Sequence, residues 1–455
     1  MPLRRSLLVA VALLPGVWTP ARAQAPVSRP FGTLREQAER QQRWLRVRMD
    51  SVLPALMRRE GVDMWVVPMR EYNEDPVFRA LVSPTTFAAR RRTIYVFHDR
   101  GVVDGVDRGV ARLALGGTSQ GGVYEVVRPT ARAAGGAELR GDEQWRLLRG
   151  VVERHRPRAI AIDVSRDFAL ADGLTKAEHD AMAEALGPAW AARLRPAGAL
   201  AVDLLASRGA DESRFYADLA RLTWDLVDTM FSRAVITPGA TRTSDAVWWF
   251  RQRVADLGLA AWFQPSLTVQ RRGAAAAALG DDPVILPGDV LHCDVGIAAL
   301  GLHTDVQHMA YVPRGGETTA PAGLVRALAA SSRLQEIVVA ELRPGRTGNE
   351  VLRAARARMR AEGIDGTVYS HPIGLHGHGA GAPVGLWDRQ EGVPGSGDHR
   401  IIRGMWYSIE LQATSAVPEW GGQRVRSGQE EDLVLDADGT ARWAWRRQTE
   451  WRIVR

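Results

Sequence analysis

The chain has 455 residues, 45% of them hydrophobic and 24% charged, a globular composition in a length that exceeds what one core usually supports, so two domains are expected. Its formal charge of +7 comes with 58 arginines among 59 basic residues, scattered rather than clustered, which argues against a nucleic-acid-binding surface. The single cysteine, Cys293, excludes an intrachain disulfide and reads as a small buried hydrophobe.

In chain order, residues 1–23 come first: a basic "MPLRR", a short apolar run interrupted by Pro15, and Ala21-Arg22-Ala23 before Gln24. This resembles a secretory signal peptide and is shorter than the roughly 20 apolar residues of a membrane span. It predicts a secreted or periplasmic protein with no membrane association after cleavage, which would lower the charge from +7 to +4 by removing Arg4, Arg5 and Arg22. Next, "TLREQAERQQRWLRVRMDSVLPALMRREG" predicts a long helix bent at Pro54 and ending at Gly61. "DMWVVPM", "TIYVFHD" and "AIAIDV" read as buried strands, giving an α/β first domain over residues 30–205, with loops and short strands in the Gly- and Arg-rich stretch 101–142. No phosphate-cradling glycine fingerprint follows these strands.

A break is expected between residues 200 and 212. Beyond it, "ESRFYADLARLTWDLVDTM" places Phe215, Leu219, Leu222, Leu226 and Met230 on one helical face. A second helix is predicted from an N-cap at Ser244 to Gly258, carrying Trp248 and Trp249 as core or interface residues. Strand pairs follow, then two helices in "LVRALAASSRLQEIVVAEL" and "NEVLRAARARMRAEG". This pattern predicts an α+β second domain over residues 210–455.

Chemistry concentrates in four stretches of that domain. In "LHCDVGIAALGLHTD" (291–305), Asp294 and Asp305 interrupt an apolar strand pattern. Read as a hairpin whose midpoint lies between Ala299 and Leu300, it sets the two carboxylates opposite one another, a repulsive arrangement unless a cation lies between them. "SHPIGLHGHGAGAPVGLWD" (370–388) holds His371, His376 and His378 among glycines that permit close backbone approach. Glu410 interrupts the apolar "MWYSIELQAT", and Glu430 and Glu431 open a strand in "GQEEDLVLDADG". Each stretch has an ordinary structural explanation by itself. Together, two Asp, one His and two Glu fit an oxygen-rich centre for two divalent ions.

The order and spacing of these residues resemble the pita-bread metallopeptidase family, which includes methionine aminopeptidase, aminopeptidase P, prolidase and creatinase. Asp294, Gly296 and Asp305 match its "D-x-G…D" hairpin, His371 and His378 its histidine pair seven residues apart, and Gly404, Met405 and Glu410 its "GM…E" strand. The last ligand matches Glu430, with Glu431 as the alternative. The resemblance implies a pita-bread catalytic domain preceded by a smaller creatinase-type domain, and metal ligands Asp294, Asp305, His371, Glu410 and Glu430. It implies catalytic roles for Glu410 and His378 and two ions of manganese, cobalt, iron or zinc. It further implies a homodimer and hydrolysis of the N-terminal bond of short peptides by a metal-bridging hydroxide, as in Xaa-Pro aminopeptidases and dipeptidases. The alternatives are hydrolysis of a non-peptide amide or C–N bond, and a noncatalytic peptide-binding scaffold. Two departures stand out. No histidine lies ahead of Asp294 in "VQRRGAAAAALGDD", where Arg271 or Arg272 would have to substitute, and the arginine expected just before the last glutamate is displaced to Arg424 or Arg426.

Overall fold

The computed structural model describes residues 29–128 and 142–455; the expected leader over 1–23 lies outside the described residues. No helix among the described residues is long and apolar enough to cross a membrane. The chain opens on the expected helix, Leu34–Val47, where Thr33 and Glu36 cap each other: Glu36 N–H donates to Thr33 Oγ1 and Thr33 N–H to Glu36 Oε2. The bend falls just ahead of Pro54. Arg48–Val52 is a π-helical turn in which Leu53 N–H reaches back to the Arg48 carbonyl, and α-helix resumes over Leu53–Arg59. Proline has no N–H to return to a carbonyl one turn back, and the ladder is re-phased around it.

The three predicted strands, Met64–Arg70, Arg92–Asp99 and Ile160–Ile162, form the middle of a six-stranded mixed sheet completed by Val110–Leu115, Glu125–Val127 and Leu194–Pro196. Their apolar residues run without interruption because both faces are covered. Met64, Val66, Ile94 and Val96 pack against Trp145, Leu148 and Met182 of two helices on one side. Trp65, Val67, Tyr95 and Phe97 pack on the other against the N-terminal helix and the helix Ala199–Ala206.

After Ser207–Gly209, the helix Ala210–Met230 buries Phe215, Leu219, Leu226 and Met230, with Leu222 partly buried beside them. The next helix, Thr243–Asp256, departs from expectation at its start. Ser244 lies inside the helix, and the capping carboxylate is Asp282, which accepts from Ser244 N–H at 2.9 Å and from the Thr243 and Ser244 hydroxyls at 3.0 Å. Of its two tryptophans, Trp248 lies outside the core, 59% exposed with the Arg251 guanidinium over its ring, whereas Trp249 is partly buried against the core.

Two four-stranded sheets follow, one of Ser266–Gln270, Val290–Val295, Val306–Tyr311 and Arg452–Ile453, the other of His371–Ile373, Trp406–Ser408, Asp432–Leu435 and Ala441–Trp443. A three-stranded sheet, Gly366–Val368, Leu411–Val417 and Gln423–Gln429, adjoins them. The helices Ala210–Met230 and Thr243–Asp256 cover one side of this assembly, and Ala322–Glu341 and Gly348–Ala361 the other. Helices thus flank antiparallel strands, the α+β arrangement expected.

Candidate metal centre

Val290–Val295 and Val306–Tyr311 pair antiparallel, and the ladder continues through Ala298↔His303 and Ala299↔Leu302 to a two-residue turn at Leu300 and Gly301, with φ +51° and +78°. The register differs from the expected one: Asp294 faces Gln307 rather than Asp305. A two-residue hairpin turn of this kind needs positive φ at both residues, and moving the turn by one position gives glycine one of those places. A turn shifted by one residue shifts the partner by two, which preserves the face. Asp294 and Asp305 therefore still converge, as diagonal neighbours.

His371 opens the strand His371–Ile373, opposite Ser408, and Ser408 lies opposite Asp432. Glu410 and Glu430 extend from the same strands. The main chain of Glu430 exchanges two 3.1 Å hydrogen bonds with Gln307, tying the last strand to the hairpin. As a result, candidate ligand atoms within 4.8 Å of one another fall into three overlapping groups: Asp294, Asp305 and Glu430; His371, Glu410 and Glu430; and Asp305, His371 and His378. His371 Nε2 lies 3.2 Å from Glu430 Oε1, 3.7 Å from Asp305 Oδ2 and 3.9 Å from Glu410 Oε2. Its Nδ1 lies 3.0 Å from the Pro372 carbonyl, a contact that places the proton on Nδ1 and leaves Nε2 as a free donor atom for a cation. His376 belongs to none of these groups.

The electrostatics of this cluster are those of a site built for positive charge. Burial, followed by the Glu430 charge, raises Asp294 to about 8 and Glu410 to about 10. The same causes, with Asp294 and Glu410 added, lift Asp305 well above the carboxylate range. Asp305 Oδ1 is buried without a partner. A divalent ion would reverse each of these penalties, so the residues present fit a metal. At the open edge, the His378 ring lies 4.8 Å from that of His371 and 5.4 Å from Trp262. Partial burial and His371 both hold His378 below the ordinary histidine range, so it is neutral near pH 7. A cavity of about 220 Å³ adjoins the cluster, lined by Tyr369, His371 and His378 and, from the first half of the chain, by Phe168 and Leu170.

The remaining candidates sort clearly. Glu431 turns away from the cluster and accepts from His308 Nε2 at 2.8 Å, Gln448 N–H at 2.8 Å and Trp224 Nε1 at 3.1 Å. Arg271 is held by both oxygens of Asp289 at 2.7 Å, and Arg272 is exposed. Arg424 pairs with Asp365, and Arg426 is exposed, so neither takes the place of the displaced arginine. Sequence reasoning passed over Gln307, which donates to Glu410 Oε1 at 2.6 Å and Glu430 Oε2 at 2.8 Å, and Ser408, which donates to Glu430 Oε1 at 2.7 Å. Both lie two residues from a candidate ligand in the same extended stretch of chain, a period-two signal that could have found them.

Residues 218–435 match the model of metallopeptidase family M24. No curated protein matches the chain. Among solved structures, it is similar to X-Pro aminopeptidase from Thermotoga maritima MSB8, with TM-score 0.59, 14% identity, and coverage of 88% of this chain and 100% of that one. It is similar to Xaa-Pro dipeptidase from Bacillus anthracis, with TM-score 0.57, 17% identity and coverage of 92% and 99%. It is also similar to the N-terminal domain of FACT complex subunit SPT16 from Cicer arietinum, with TM-score 0.55, 12% identity and coverage of 92% and 99%.

Proposed function

We propose that this chain, whose residues 218–435 match the model of metallopeptidase family M24, is an exopeptidase that hydrolyses the N-terminal bond of short peptides, as Xaa-Pro aminopeptidases and dipeptidases do. The observation that carries this reading is the convergence of Asp294, Asp305, His371, Glu410 and Glu430, with a buried carboxylate oxygen of Asp305 left unpartnered. These five residues would hold two divalent ions, manganese, cobalt, iron or zinc being favoured over magnesium by the imidazole ligand. Bound there, the ions would activate water at neutral pH and polarise the scissile carbonyl.

The protein's own residues supply the rest. Glu410, held by Gln307 through Oε1, leaves Oε2 facing the cluster as the proton acceptor and would pass that proton to the departing amine. His378, neutral and at the open edge, would hydrogen-bond the substrate carbonyl as it becomes an oxyanion. The adjoining 220 Å³ cavity, with walls from both halves of the chain, suits a short peptide rather than a folded one.

The FACT subunit domain resembles this chain over as large a share as the peptidases do, so the donor set rather than the fold argues for an enzyme. The lack of a histidine in the stretch 269–282, upstream of Asp294, supports a second reading, hydrolysis of a non-peptide amide or C–N bond. Metal analysis and cleavage of a panel of Xaa-Pro peptides and non-peptide amides, on wild type and Asp305→Ala, separate these readings. The proposal expects bound metal and Xaa-Pro cleavage in wild type and loss of both in the variant; a wild type that takes up no manganese or zinc and cleaves nothing overturns it. Export and homodimerisation belong to the same proposal, and a chain retained inside the cell with residues 1–23 still attached would count against the former.

A further inference from the structure

Gln307 bridges two glutamates of this cluster, and the arginine that the resemblance leads one to expect just before the last of them is absent. Its Nε2 lies 2.6 Å from Glu410 Oε1 and 2.8 Å from Glu430 Oε2. As ionised metal ligands both partners only accept, so the amide nitrogen faces them; reversing the amide would then set three oxygens against one another. Its Oε1 lies 3.0 Å from His292 Nε2, and this oxygen can only accept, which places the imidazole proton on Nε2. The whole Gln307 side chain is thereby oriented by one neutral group behind it and two carboxylates ahead. Its backbone is fixed as well, by the two 3.1 Å hydrogen bonds it exchanges with Glu430.

The space for this arrangement is made by Gly428, two residues before Glu430. A Cβ at that position would come within 2.8 Å of His292 Nε2 and 3.4 Å of Gln307 Oε1. The nearest arginines on that strand, Arg424 and Arg426, are exposed, and Arg424 is paired with Asp365. We propose that Gln307, oriented by His292 in the room left by Gly428, is the positioning residue of the metal centre, a neutral clamp that sets Glu410 and Glu430 for their ions where a cation would compete with them.

The inference rests on the metallohydrolase reading. Its physical content is a separation of geometry from charge. An arginine bridging the two glutamates would align them but cancel one unit of negative charge; an amide aligns them and leaves four carboxylates to balance two dications. The amide also fixes which oxygen of each glutamate is taken, so that the other faces the ligand atoms across the cluster.

The experiment is titration of metal-stripped protein with manganese by calorimetry, for wild type, Gln307→Met, His292→Phe and the double variant, with kcat and KM measured at saturating metal. Methionine keeps the length of Gln307 without its donors. Gln307→Met is expected to weaken manganese about 10- to 100-fold, as loss of outer hydrogen-bonding partners of metal ligands does. At saturating metal it lowers kcat with KM nearly unchanged, because Glu410 is misplaced and substrate contacts are not. His292→Phe is expected to weaken manganese less, and the double variant no more than Gln307→Met, because both act through one side chain. Manganese affinity within twofold of wild type in Gln307→Met, alongside a lowered melting temperature, would make Gln307 a merely structural residue and overturn the proposal. If Gln307→Met does not fold, unchanged manganese affinity in His292→Phe overturns it instead. A wild type that binds no manganese sinks the metallohydrolase reading itself, a different outcome.

Discussion

Asp294, Asp305 and Glu410 are arranged at a cost in folding free energy that either protonation or a bound cation removes, and this has a measurable sign. Burial and Glu430 hold Asp294 near 8 and Glu410 near 10, against about 3.9 and 4.3 for the unfolded chain. Between those limits the folded metal-free protein retains protons that the unfolded chain has released. Stability from these groups is therefore fully present below about pH 4 and is lost as pH rises through 8 and then 10. Thermal melts of metal-stripped protein should move to lower temperature from pH 5 to pH 8, and Glu410→Gln should flatten the trend. Reconstitution with manganese should remove it, since the ion favours the charged form of every ligand. A metal-stripped protein that gains stability over that pH range would contradict the geometry described. Individual residues were also where sequence reading reached furthest: the five side chains expected as ligands come together, and Asp294, Asp305 and Glu410 were visible as carboxylates in otherwise apolar stretches, whereas His371 among glycines and Glu430 at the opening of a strand stood out only through the spacing of the whole set.

Elements were legible where their pattern is local. The strands Met64–Arg70 and Arg92–Asp99 announce themselves as unbroken apolar runs, and Ala210–Met230 as a 3.6-residue stripe. What was misread depended on partners distant in sequence or on turn chemistry. The cap of Thr243–Asp256 comes from Asp282, on a loop that no local motif links to the helix. The hairpin register was set by the preference of Gly301 for positive φ rather than by the symmetric placing of the two aspartates. That error left the site intact only because a two-residue slip conserves the face; a one-residue slip would have turned Asp305 and Gln307 away from Asp294. Gln307 and Ser408 escaped notice because their one local signal is a two-residue step from an expected ligand, and Gly428 gains meaning only when separate strands are laid beside one another.

At the scale of the whole molecule, the two halves meet at the site. The cavity beside His371 and His378 takes part of its wall from Phe168 and Leu170, in the segment that follows the central sheet of the first half. That segment is held on its own side by Ser165, whose hydroxyl accepts from the Asp167 and Phe168 N–H groups at 3.2 and 3.0 Å. It is held on the other by the edge-on contact of Phe168 with His399, 5.3 Å between ring centres. The first half therefore lines the space available to a peptide, while the candidate ligand groups among the described residues all come from the second. Phe168→Ala separates these roles. It removes an aromatic wall from the cavity while leaving Asp294, Asp305, His371, Glu410 and Glu430 in place, so metal content should match wild type. KM for dipeptides should rise about tenfold, the scale of a lost apolar contact in a substrate pocket, and longer peptides should be cleaved relatively better. Unchanged selectivity between dipeptides and longer peptides would mean that the second half defines the substrate alone and that the first half serves the site only as support.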